Sequence, residues 1–266
     1  MNPRRRDLVT VAALVPVGLA VLFFALPILG VVVRAPWGRP AAFVSGEVGS
    51  ALLLSIVCAL AAAVLAGLLG LPLAVWLAAR DSRLRRVVRV LVTLPLVMPP
   101  VVVGAALLAA FGRRGLVGEP LHDWLGLVLP FSPAGVVIAE LYVAMPFFVL
   151  AAEAGLRAFD SRYTAVAATL GASPLLRFRR VVLPMLGPTL LTALVVAWAR
   201  ALGEFGATIT FAGSLEGVTR TMPLAIAAAL ESDMDTALAM SLVLIAVSAA
   251  ILFGLRERWL PARRAQ

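Results

Sequence analysis

The chain has 266 residues, 62% of them hydrophobic and 14% charged, with a mean hydropathy of +1.03. That composition lies outside the soluble globular range and describes a polytopic membrane protein with few residues to spare for a soluble domain. All 23 basic residues are arginine; without lysine the chain cannot build a P-loop, so it carries no ATPase site of that kind.

The first apolar stretch, 8–33, follows Arg4, Arg5 and Arg6. It superficially resembles a secretory leader, but the run is too long for an h-region and lacks a clear small-residue cleavage site. A first membrane span is expected instead. Further apolar stretches cover 48–79, 90–112, 135–154, 181–211 and 236–255. Each is long enough to cross roughly 30 Å of hydrocarbon as a helix. The expected fold is all-α, with about six transmembrane helices.

Arginine clusters in 4–6, 80–89, 157–180 and 256–264, whereas the three remaining loops together are slightly acidic. The positive-inside rule then puts both termini and the 156–184 loop in the cytoplasm. An odd number of spans would leave one arginine-rich terminus outside. The formal net charge of +9 is therefore a mark of topology, and nucleic acid is not an expected partner.

Polar residues inside the spans are few. Cys58, the only cysteine, falls in the second span and reads as a structural thiol. Pro99 and Pro100 should kink the third span, as part of a gate or as simple packing. His122 stands alone in an outer loop and reads as solvated, with no ligand set for a metal. Glu140 lies deep in the fourth span and needs a partner; Glu153, near its cytoplasmic end, should reach water or an arginine. Arg200 and Glu204 are spaced i,i+4 and can pair. Intramembrane charges cost roughly 2.5–3.5 kcal/mol each, so these two should face the interior. With Gly206 close by, they either line a pathway or gate, or lock helix packing.

Residues 221–230 are apolar but too short to cross, and suggest an interfacial or re-entrant helix at the outer mouth. No nucleophile triad, paired acids or metal cluster occurs, so no catalytic residue is assigned and any driving energy must come from elsewhere. No inverted repeat is visible, which weighs against secondary-carrier folds. Six spans enclose little space, and a homodimer with the pathway on its two-fold axis is the economical solution.

Residues 163–184 read as two short helices joined by a tight bend. Asp160 or Ser161 can cap the first, and Gly171 can end it in a left-handed conformation. Ser173 caps the second, with Pro174 at its first position, and Pro184 opens the next apolar segment. Ala165, Ala167 and Ala168 leave a surface that another protein can approach closely. The spacing of Gly171, Val181, Leu183 and Pro184 resembles the EAA loop of ABC importer permeases, with Ala165 and Val166 at the glutamate position and its neighbour.

The likeness to type I ABC importer permeases covers roughly 49–253. Within it, 94–104 and 111–115 are similar to molybdate and sulfate permeases, and 200–208, 211–213 and 221–226 resemble the molybdate branch most. The resemblance implies a permease domain at 49–253. Ahead of it come an N-terminal tail, first helix and outer loop at 1–48, and behind it a cytoplasmic tail at 254–266. It further implies a multi-pass subunit of the bacterial cytoplasmic membrane, in contact with lipid and with a second copy of itself. A cytoplasmic ATPase dimer would dock on Ala165, Ala167, Ala168, Gly171, Ser173, Pro174, Leu183 and Pro184. ATP would be bound by those partners, with no cofactor in this chain, and an extracytoplasmic oxyanion-binding protein would deliver the cargo. The implied function is ATP-driven import of molybdate, with tungstate as a companion. A sulfate or thiosulfate permease, an ATP-independent anion carrier and a membrane scaffold are the alternatives.

Overall fold

Ser45, Ser82, Ser132 and Ser173 each stand just before a helix, and each hydroxyl accepts the backbone N–H three residues on. This satisfies one of the donors that a helix start leaves unpaired. The computed structural model describes the backbone of residues 3–259 and the side chains of 14–254. Among the described residues it is all-α. The arginine side chains expected on the cytoplasmic side at 4–6 and 256–264 lie outside them.

Helix α1 (Pro3–Arg34) leads through a 3-10 turn at Pro40–Phe43 into α2 (Gly46–Ala79). The arginine-rich, strongly amphipathic α3 (Arg83–Thr93) runs into a 3-10 turn at Leu94–Leu96, and α4 (Pro100–Phe111) follows. After the short α5 (Gly118–Leu125) comes the long α6 (Pro133–Ala158). Two short helices, α7 (Arg162–Thr169) and α8 (Pro174–Arg177), precede α9 (Leu183–Leu202). The chain closes with α10 (Gly206–Phe211), α11 (Met222–Ser232) and α12 (Met234–Trp259).

The core sits where α2, α6 and α9 meet. Its facing surfaces are small: Ala59, Ala62 and Ala66 on α2, Ala144 and Ala152 on α6, and Ala193 and Ala197 on α9 are each fully buried. In lipid no water is expelled when helices meet, so close backbone approach over small residues is what holds such a core. Helix α11 packs against α2 and α12 through Val48, Ala51, Met222, Ala225 and Met240. The Met222 N–H donates to the buried Ser55 hydroxyl at 2.7 Å. The short apolar segment at 221–230 is thus a helix, α11, that extends to Ser232.

Among the described residues five helices are long and apolar enough to cross a membrane: Leu14–Arg34, Pro40–Ala79, Pro133–Ala158, Pro174–Leu202 and Met234–Gly254. The sixth expected span is a broken pair. Arg83–Leu96 and Pro100–Phe111 meet at 118°, so the stretch 90–112 is not one kinked helix. Pro99 is extended (φ −56°, ψ 138°), as a residue preceding proline is biased to be, and Pro100 has no N–H to continue a ladder. The fifth expected span, 181–211, is also interrupted. Its helix ends at Leu202 and a new one starts at Gly206.

Candidate functional site

The loop after α6 folds largely as its residues dictate. Asp160 Oδ1 accepts the Arg162 N–H at 2.9 Å, whereas Ser161 makes no side-chain cap. Helix α7 ends at Gly171, whose φ of +81° suits glycine alone. The Gly171 and Ala172 N–H groups close the end by bonding the Ala168 and Ala167 carbonyls at 3.0 Å each. Ser173 then caps α8 with Pro174 at its start.

The second short helix does not stand apart, however. Helix continues from Pro174 to Leu202, so Leu183 and Pro184 lie inside the span and not in the loop. Between α8 and α9 the helix widens to π geometry at Phe178–Val182, with the Leu183 N–H reaching back to the Phe178 carbonyl. Pro184 lacks the N–H that an α-helix needs there, which favours such a shift. On the loop surface Val166, Leu170 and Leu175 are 60%, 82% and 60% exposed, and Ala165 and Ala168 are exposed beside them. A groove of about 500 Å³ runs past Tyr163, Val166, Ala167, Leu170 and Val181.

A second constellation forms where the two interrupted spans meet. Arg200 Nη2 lies 2.6 Å from Glu204 Oε2, with the Arg200 side chain 32% exposed and Glu204 only 1%. The other carboxylate oxygen accepts the Ala207 N–H at 2.9 Å and so caps α10. Helix α10 is wedged against α4. A Cβ on Gly206 would fall 2.3 Å from Pro100 Cβ, and one on Gly104 2.3 Å from Thr210 Cβ. The fold therefore brings Pro100, Gly206, Glu204 and Arg200 together, with Pro99 at the bend beside them.

Glu140 finds no partner for its Oε2 although the residue is 1% exposed. It lies one helical turn from Val136, which packs with Cys58 and Ala212. The Thr208 hydroxyl on α10 is likewise buried and unbonded. Cys58 is a free buried thiol, as expected. His122 is half-buried, with Nε2 3.2 Å from Arg113 Nη2 at an exposed contact.

Glu153 reaches arginine, as expected, but two of them, and one comes from a distant helix. Arg89 forks onto its carboxylate, Nη2 at 2.6 Å and Nε at 3.2 Å from Oε1, while Arg157 Nε adds a third bond at 2.9 Å. Arg157 also donates to the Leu77 carbonyl and to Asp81 Oδ1. The i,i+4 pair of Glu153 with Arg157 was readable; Arg89, 64 residues away in sequence, was not.

A bundle of long apolar helices with two broken spans and an exposed helix–Gly–helix loop describes a protein of the membrane-spanning class. Residues 70–264 match the family described as binding-protein-dependent transport system inner membrane component, and the chain belongs to that family of ABC importer permeases. It is 46% identical to the molybdenum transport system permease protein ModB of Mycobacterium tuberculosis, over 90% of each chain. The proteins of that name from Escherichia coli K12 and Haemophilus influenzae are 41% and 39% identical, over 63% and 77% of this chain and 73% and 91% of theirs. Among solved structures, a bacterial ABC transporter that imports the acidic polysaccharide alginate has the same fold. Its TM-score is 0.75 at 17% identity, over 95% of each chain.

Proposed function

We propose that this chain is the membrane subunit of an ATP-driven importer of molybdate, with tungstate as a near-isosteric companion. The observation that carries the reading is the 46% identity to a molybdenum permease over 90% of both chains. Two copies would enclose the pathway at their two-fold axis, and a binding protein outside would deliver the oxyanion. A chain without lysine cannot bind ATP through a P-loop, so hydrolysis falls to two cytoplasmic subunits that dock on the loop around Gly171. The apolar exposure of Val166, Leu170 and Leu175 supports docking there, and Ala165 in place of an acidic anchor shifts the contact toward packing.

The proposal takes 49–253 as the permease body and both termini as cytoplasmic. A pathway poor in charge suits a small dianion, because a cluster of arginines would hold it too tightly to release. One arginine offset by a carboxylate, as in Arg200 and Glu204, meets that requirement. The test is deletion of the gene in cells grown at trace molybdate. Molybdoenzyme activity should fall and return with excess molybdate or with the gene. Normal molybdoenzyme activity alongside failing growth on sulfate would overturn the cargo assignment.

A further inference from the structure

The polar cluster at Glu153 lies outside both constellations described above, yet it touches the element that precedes each. Helix α6 carries Glu153 and hands the chain to α7 through only 159–161. Helix α3 carries Arg89 and hands the chain to the bend at Pro99–Pro100. By sequence those two regions are far apart; in space one buried carboxylate joins them. We propose that the Arg89–Glu153 pair is a strut that carries movement of the 162–182 loop to the break between α3 and α4. The proposal rests on the permease reading, since it assumes that an ATPase moves the loop.

The geometry suits transmission. Glu153 is 4% exposed in its side chain and Arg89 27%, so water competes little for the pair. A guanidinium fork on a carboxylate fixes orientation as well as distance, which a lysine point charge does not. Arg157 holds the same carboxylate from α6 and ties it to Leu77 and Asp81 at the end of α2. The strut is thereby tied to the end of α2, where Leu77 belongs to the central core. The outward side of α3 offers no competing hold: Leu84, Val87, Val90 and Leu91 are 57–64% exposed.

The test uses the full chain assembled with its ATPase subunits, Cys58 replaced by alanine. Spin labels go on exposed Val97 beside the bend, on Val166 in the loop, and on Leu230 at the outer end as reference. Nucleotide trapping should change both the 97–230 and the 166–230 distances in the otherwise unaltered protein. In Arg89→Gln and Glu153→Gln the 166–230 change should persist while the 97–230 change falls at least twofold. Arg89→Lys should lose most of it too, because the fork is gone, and it serves if the glutamine variants accumulate poorly. The swap Arg89→Glu with Glu153→Arg should recover part. A full 97–230 change in the single variants would overturn the proposal, as would its absence before any substitution. Neither distance requires molybdate, so a failed uptake test would sink the cargo assignment and leave this result standing.

Discussion

Each oxygen of the Glu204 carboxylate has its own partner, one the Arg200 guanidinium and the other the Ala207 N–H. The two partners respond differently to substitution. Arg200→Gln strands a nearly fully buried carboxylate, a defect of about 3–5 kcal/mol in comparable buried pairs. Glu204→Gln keeps an oxygen for the Ala207 cap and leaves an arginine that already reaches solvent, costing about 1–2 kcal/mol. Folded yield should therefore fall further in Arg200→Gln than in Glu204→Gln, and the double glutamine variant should recover much of the Arg200→Gln loss. Yields from membranes by fluorescence-detected chromatography decide it. If the double variant folds well but imports nothing, the pair has a part in transport beyond locking the helices. The sequence placed both residues on one helical face; it did not place the helix end between them, because Gly203 breaks the turn without disturbing the i,i+4 reach.

Among the elements, the two broken spans depend on each other. Hydropathy reports how much apolar chain is available but not where it turns, so 90–112 and 181–211 both read as continuous. Pro99-Pro100 marked the site of the first break. The 118° angle is set by a contact no local signal reveals, the close approach of α4 and α10 over Gly104 and Gly206. Gly206→Ala should force Pro100 aside, an overpacking cost of about 1–3 kcal/mol, and lower the thermal midpoint of the purified protein. The control Gly187→Ala, which meets nothing within 4 Å inside a helix, should leave the midpoint unchanged or raise it. Equal midpoints for the two would remove the wedge. The loop is a different case, since its signals were local and nearly all legible. Nothing lies within 4 Å of a Cβ on Gly171, so only its φ of +81° is at stake. Gly171→Val should cost about 1–2 kcal/mol at that residue, leave membrane insertion intact and weaken co-purification of the ATPase subunits. Full retention of those subunits would show that the bend is not their contact.

At the scale of the whole molecule the arginine distribution and the helix count lead to one arrangement. Among the described residues, five helices long and apolar enough to cross, with the broken pair taken as a sixth crossing, would return both chain ends to the same side. Were α3 and α4 to enter and leave by one face, the loop at 162–182 and the loop at 80–83 would lie on opposite sides of the bilayer. The Glu153 cluster argues against that, because it gathers Asp81 from the α2–α3 connection, Arg89 from α3 and Arg157 from α6 at a single level. Charges so grouped fit one membrane surface, and the positive-inside rule gives the expectation that it is the cytoplasmic one. Single cysteines make this testable, since Cys58 is buried and should stay silent. Cysteine at Arg83 or Ser173 should be protected from an impermeant thiol reagent in intact cells and react after permeabilisation. Cysteine at Arg39 or Glu216 should react at once; both side chains are more than two-thirds exposed or nearly so, at 69% and 67%. Immediate labelling at Arg83 with protection at Ser173 would mean that the broken pair does not cross as assumed. Labelling at both would invert the molecule and with it the docking of the ATPase subunits.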